Sequence, residues 1–148
     1  ILFIANKSNY FHLSVIAKDI ATALPNRKIL FKLHPEQFDQ YSEIKSDFKI
    51  EKNIHVITDD FNDTKLLVDA SDFVTIRSSL AYKALQSGCR GHILKQDNYN
   101  WDNELLKFTL QFSNSNELLR NLKNDSLKIS SPVFYEKIHF NTINDYLY

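Results

Sequence analysis

Four short polar groups in this 148-residue chain each follow an apolar run: Asn6-Lys7-Ser8, His34-Pro35, Arg77-Ser78-Ser79 and Gln96 to Asn100. His34 has the most direct chemistry. A histidine can protonate or hydrogen-bond a phosphate leaving group near neutral pH, and Pro35 would hold the turn that aims it. A histidine at that place can equally serve only to satisfy a strand end, and the sequence leaves both open. Ser78 or Ser79 falls where a helix cap belongs, because a hydroxyl there accepts from the unpaired N–H groups of the first turn. Those N–H groups also attract anions, so capping and phosphate binding are compatible roles. Arg77 can pair with such a phosphate or be a surface cation beside Asp72. Ser8 and its neighbours supply a further phosphate contact after the first strand.

Other candidates are weaker. His55 lies inside a strand and reads as structural, while His92 and His139 show no ligand spacing. Asp59-Asp60 and Asp63 match no calcium loop, so solvated loop acids are the simpler account and no metal is expected. Tyr99 and Trp101 can stack on a base or pack as loop contacts. No Gly-x-Ser-x-Gly elbow is present. The only glycines, Gly88 and Gly91, exclude a glycine-rich phosphate loop of the Walker or dinucleotide type. Cys89 is the only cysteine, so there is no disulfide framework or cysteine metal site, and a reduced, cytoplasmic setting is expected.

The elements that must place these groups alternate. Strands are predicted over Ile1 to Ala5, Lys28 to Leu33, Asn53 to Thr58, Phe73 to Ile76, His92 to Leu94 and, weakly, Leu110 to Phe112. Between them lie helices from Phe11 to Leu24, from Glu36 to Phe48, from Thr64 to Ala70 and from Ser79 to Ser87, the last closed by Gly88. The first carries Leu13, Ile16, Ala17, Ile20, Ala21 and Leu24 as one apolar stripe. Leu105 to Phe108 extends a short helix, and Asn114 or Ser115 caps another through Leu122. The aromatic tail from Phe134 to Tyr148 is expected to fold back as a helix. Alternation of this kind predicts a Rossmann-like, doubly wound α/β domain with a mostly parallel sheet of about six strands and helices on both faces. Open sheets of this type bind ligands beyond the carboxyl ends of their strands, which is where all four polar groups fall.

Composition narrows the function classes. Hydrophobic residues make up 43% of the chain, enough for a real core in a single domain over residues 1–148. The 18 basic and 18 acidic residues cancel, which argues against a nucleic-acid binder. No apolar run approaches a membrane span. The absence of methionine, even an initiator, implies a piece of a longer protein or a processed product.

The segments Lys32-Leu33-His34-Pro35 and Val74-Thr75-Ile76-Arg77-Ser78-Ser79 resemble the nucleotide-binding half of GT-B glycosyltransferases. The resemblance is to bacterial sialyl- and polysialyltransferases, capsule transferases and the CDP-glycerol glycerophosphotransferases, and it spans roughly Ile1 to Tyr99. It implies one half of a GT-B fold that binds a nucleotide-activated sugar or polyol phosphate as substrate, without cofactor or metal. By it, His34 contacts or protonates the donor phosphate, and Ser78 and Ser79 hold phosphate oxygens. The glycan acceptor and the general base would belong to a missing N-terminal domain, the isolated domain would catalyse little, and the whole protein could sit peripherally on a membrane. Where those families often have Ser-Ser-x-x-x-Glu-Ala, this chain has Lys83 before Ala84, and for Gly-x-Pro it has Gly88-Cys89-Arg90. The lost acid implies a different donor or a degenerate site. A non-catalytic binding module and a nucleotide-sugar epimerase are the alternatives.

Overall fold

The computed structural model describes residues 1–58, 63–96 and 103–124. Six strands, β1 (Leu2–Ile4), β2 (Ile29–Lys32), β3 (Ile54–Ile57), β4 (Asp72–Thr75), β5 (Arg90–Leu94) and β6 (Thr109–Phe112), form one sheet in the order β3-β2-β1-β4-β5-β6. Every neighbouring pair is parallel. The helices between them are α1 (Tyr10–Ala23), α2 (Tyr41–Asp47), α3 (Asp63–Asp69), α4 (Leu80–Gln86), α5 (Asn103–Lys107) and α6 (Ser115–Lys123).

Strands that are buried on both faces read as continuous apolar runs, and β1 and β4 are buried at every position. Side chains alternate between two cores. Phe3, Phe31, Val74, Leu94 and Phe112 meet Leu13, Ile16 and Ile20 of α1, Ile44 of α2, and Leu118 and Leu122 of α6. On the other face Leu2, Ile4, Phe73 and Ile93 meet Leu66 and Leu67 of α3, Ala81 and Ala84 of α4, and Leu105 of α5. The doubly wound architecture expected from the alternation is therefore present.

Local signals explain most boundaries. Gly88 has φ +83°, where a side chain would strain the backbone. Its N–H donates to the Leu85 carbonyl and that of Cys89 to the Ala84 carbonyl, the bond pair of a left-handed helix stop. The side chain of Asn114 accepts from the N–H of Glu117 and caps α6. Asn53 donates through Nδ2 to the carbonyls of Ala21, Leu24 and Arg27 and ties off the end of α1.

One predicted helix is corrected. The segment Glu36 to Phe48 is two elements, a 3-10 helix at Pro35–Gln40 followed by α2. Phe38 and Tyr41, three residues apart, both pack on the core, and a 3-10 turn stacks that spacing on one line. The expected loop over Asp59 to Asn62, the loop carrying Tyr99 and Trp101, and the tail from Phe134 to Tyr148 lie outside the described residues.

Candidate functional site

The sheet order reverses at β1, which pairs with β2 on one side and β4 on the other. In open α/β sheets a crevice opens beyond the strand ends at such a point, because the chain leaves in opposite directions on its two sides. Here the loops after β1, β2 and β4 border it. They carry Asn6 to Asn9, His34, and Ile76 to Ser79.

The loop after β1 is held by its own side chains. Asn9 accepts through Oδ1 from the Asn6 N–H at 2.8 Å, while Asn6 Oδ1 accepts from the Asn9 N–H at 3.1 Å. Asn6 Oδ1 also accepts from Ser8 Oγ at 2.8 Å. On its other side Asn6 donates from Nδ2 to the carbonyl of Arg77 at 3.3 Å. Asn6 thereby links the two loops across the switch point, a role that its place in the sequence did not reveal.

Lys32 is buried at the end of β2, and two residues on His34 emerges with its side chain 45% exposed. Its backbone is extended and Pro35 follows at the first position of the 3-10 helix, where a fixed φ suits helix entry. His34 Nδ1 accepts from the Glu36 N–H at 3.3 Å. A ring nitrogen that accepts carries no proton, so the neutral imidazole holds its hydrogen on Nε2 and offers it as a donor.

Asn6, Lys7, Ser8, His34 and Glu36 line one open pocket of about 480 Å³ at this rim. A larger recess of about 570 Å³ lies between α1 and α6, lined by Asp19, Ala23, Asn114 and Leu119 among others. Its polar groups already serve the helices: Ser115 Oγ donates to Asp19 Oδ2 at 2.6 Å, and Asn114 caps α6. The smaller pocket is the better candidate site, because it opens on the carboxyl rim of the sheet, between the loops after β1 and β2 and next to the β1–β4 switch point.

The structure brings His34, Pro35 and Ser8 to one end of the rim and Arg77, Ser78 and Ser79 to another. His34 and the two serines do not follow adjacent strands, since β1 lies between β2 and β4. Ser78 Oγ accepts from the Leu80 N–H at 3.2 Å, whereas Ser79 makes no cap bond, so Ser78 serves the start of α4. Arg77 is exposed beyond the end of β4 while Asp72 begins that strand, so the two are at opposite edges of the sheet rather than side by side. Lys83 is exposed on α4. His55 is exposed on the edge strand β3. Among the described residues no group of three or more His, Cys, Asp or Glu side chains could hold a metal, and no helix is long and apolar enough to cross a membrane.

At the opposite edge lies a buried charged cluster that was not foreseen. Asp72, only 2% exposed, accepts from Arg90 Nε at 2.6 Å, His92 Nε2 at 2.9 Å and Ser71 Oγ at 2.7 Å, with Arg27 at 3.4 Å. Burial pushes the Asp72 carboxyl up, but hydrogen bonds from His92, Arg90 and Ser71 outweigh it and hold the group well below the usual carboxylate range. Burial holds His92 below its ordinary value, and the neighbouring carboxylate offsets only part of that. Arg90 also donates to the carbonyls of Asn124 and Leu122, fastening the end of α6 to the sheet. The one signal for this cluster is compositional: an Asp, an Arg and a His placed within runs that otherwise read as buried strand.

Neither a scan against protein-family models nor a search of curated proteins returns a match. Solved structures do match. A Methanocaldococcus jannaschii UDP-GlcNAc 2-epimerase, solved with UDP-GlcNAc and UDP, aligns over 88% of this chain with a TM-score of 0.61 and 15% identity. A Neisseria meningitidis UDP-GlcNAc 2-epimerase bound to UDP-GlcNAc aligns over 92% with a TM-score of 0.59 and 16% identity. The chain spans only 38% and 37% of those two proteins. At such identity the likeness establishes the fold, a Rossmann-like α/β domain similar to a little over a third of each epimerase.

Proposed function

We propose that this chain is a nucleotide-sugar-binding domain that takes the phosphates of its ligand at the carboxyl rim of the sheet. One observation carries the reading: the strand order reverses at β1, and Asn6 bridges the loops on the two sides of that reversal. Its rim carries Lys7, the Nε2–H of His34, and the Arg77-Ser78-Ser79 segment, a set of donors suited to phosphate oxygens. In the fuller reading the domain is the donor half of a GT-B transferase acting in bacterial surface polysaccharide synthesis, working with an acceptor domain beyond this chain. His34 would then stabilise or protonate the departing nucleotide phosphate. The reading calls on no metal.

An epimerase acting on a nucleotide sugar is the second reading; the two structural neighbours are UDP-GlcNAc 2-epimerases, which share the fold with this chain. Titration with CMP, CDP, UDP and UDP-GlcNAc, followed by NMR, tests the shared part. Amide shifts confined to residues around His34, Ser8 and Arg77 to Ser79 are expected. No shift with any of the four refutes the site. Product analysis of the full-length protein with and without a glycan acceptor separates transfer from epimerisation.

A further inference from the structure

We infer that the pocket after β1 and β2 recognises a phosphate and free hydroxyl groups on the same ligand, with Ser8 and Glu36 as the hydroxyl acceptors. The inference rests on the nucleotide-sugar reading of this rim and assigns the side chains that would meet the ribose, sugar or polyol hydroxyls beside the phosphate.

It follows from where the protons are committed. Asn6 Oδ1 can only accept, so the Ser8–Asn6 bond at 2.8 Å consumes the single proton of the Ser8 hydroxyl. Toward a ligand, Ser8 Oγ then offers lone pairs only. A phosphate oxygen also offers lone pairs, so the two do not pair, whereas a ligand O–H fits. Asn6 Oδ1 is itself taken up by Ser8 and by the Asn9 N–H, which leaves little incentive for that arrangement to invert.

Glu36 gives the same answer from the opposite wall. Its backbone N–H is spent on His34 Nδ1, and its carboxylate, exposed beside the ring with Oε2 3.9 Å from Nδ1, offers acceptor oxygens. Lys7 and the Nε2–H of His34 can only donate. The five lining residues therefore divide into two donors for an anion and two acceptors for hydroxyls, held together by Asn6. A ligand bearing phosphate alone would satisfy the donors and place its charge against Glu36. A ligand bearing both groups satisfies every side chain at once.

The test uses two matched pairs of probes that differ only in hydroxyls: UDP against 2′,3′-dideoxyuridine 5′-diphosphate, and glycerol 3-phosphate against n-propyl phosphate. Affinities are read by NMR titration of the whole chain, whose spectra also report that the surface variants stay folded. The hydroxyl-bearing member of at least one pair should bind about tenfold tighter, the worth of one charge-assisted hydrogen bond. Ser8→Ala should remove much of that preference while leaving the hydroxyl-free partner within about twofold, Glu36→Ala should remove most of it by tightening the hydroxyl-free partner relative to the hydroxyl-bearing one, and Glu36→Gln should keep part of it. Equal affinity within both pairs in the unmodified chain overturns the inference but leaves the nucleotide site standing. So does tightening of both members by the same factor in Glu36→Ala and Glu36→Gln, which would make Glu36 only a repelling charge. No binding of any probe overturns the inference together with the site.

Discussion

Removing the Asp72 carboxylate should be among the most damaging single polar changes in the described residues. The group is 2% exposed, Arg90 beside it 8% and His92 fully buried. In Asp72→Ala both partners stay buried without their acceptor, and breaking a buried pair in this way costs about 3–5 kcal/mol. Arg90 keeps its bonds to the carbonyls of Asn124 and Leu122, so the lower end applies, about 3 kcal/mol. For a domain of this size each kcal/mol moves the melting temperature by about 3 °C, which gives a fall of about 10 °C. Thermal melts by circular dichroism at pH 7 and urea titration would measure it.

The pH profile supplies a sharper check. Asp72 is held below its ordinary value of 3.8, so its contribution is complete above that pH and is lost as pH falls through the folded value. His92 is held below its ordinary 6.5, so the unfolded chain binds the proton first and stability drops as pH falls below 6.5. Acidification should therefore weaken the fold in two stages, with His92→Gln removing the upper stage and Asp72→Asn the lower. A loss under about 1 kcal/mol in Asp72→Ala, the size of an ordinary exposed pair, would refute the reasoning. A stability curve that is flat below pH 6.5 would refute the His92 part.

Two further substitutions and one labelling experiment test the packing. A Cβ at Gly91 would sit 2.7 Å from both Phe73 Cζ and Thr109 Cγ2, so Gly91→Ala should cost about 1–3 kcal/mol in urea titration, partly restored by Phe73→Leu. Asn53→Ala removes the amide that three carbonyls at the end of α1 share, and should cost about 1–2 kcal/mol while leaving ligand affinity unchanged. Cys89 is buried with its Sγ against the carbonyls of Leu67 and Ala70, and burial pushes its thiol up to about 11. Iodoacetamide at pH 8 should therefore leave the native chain unlabelled and label it fully in urea.

What the sequence revealed divides along a physical line. Strand interiors were legible because Phe73-Val74 or Ile29-Leu30-Phe31 must be apolar to lie inside a parallel sheet, and Gly88 was legible because a left-handed helix stop favours glycine. The rim was legible in outline, since each polar group directly follows its strand. Strand order was not. Nothing local to His34 or Ser78 states that β1 inserts between β2 and β4 and separates the strands that carry them. The same reason hid Asp72. Its partners are at positions 27, 71, 90 and 92, and only Ser71 is its neighbour in sequence. The Asn6 bridge joins positions 6 and 77 and was equally out of reach.

The two edges of the sheet handle charge in opposite ways, and this separates what should affect folding from what should affect binding. At the amino edge Asp72, Arg90 and His92 are buried, so each must be satisfied internally or pay its full desolvation. The bonds of Asp72 run to partners within the protein, and a ligand has nothing to gain there. At the carboxyl edge Lys7, His34 and Glu36 keep their polar ends at the surface, where an unsatisfied group costs little because water serves it. Such groups add little to stability and remain available to a ligand. Asn6 differs from these exposed groups: half-buried, it spends its side chain on Ser8, Asn9 and Arg77 and ties the loops together. Substitutions around Asp72 should thus lower stability and spare affinity for any ligand, and those at Lys7 or His34 should do the reverse. Asn6→Ala alone should lower both.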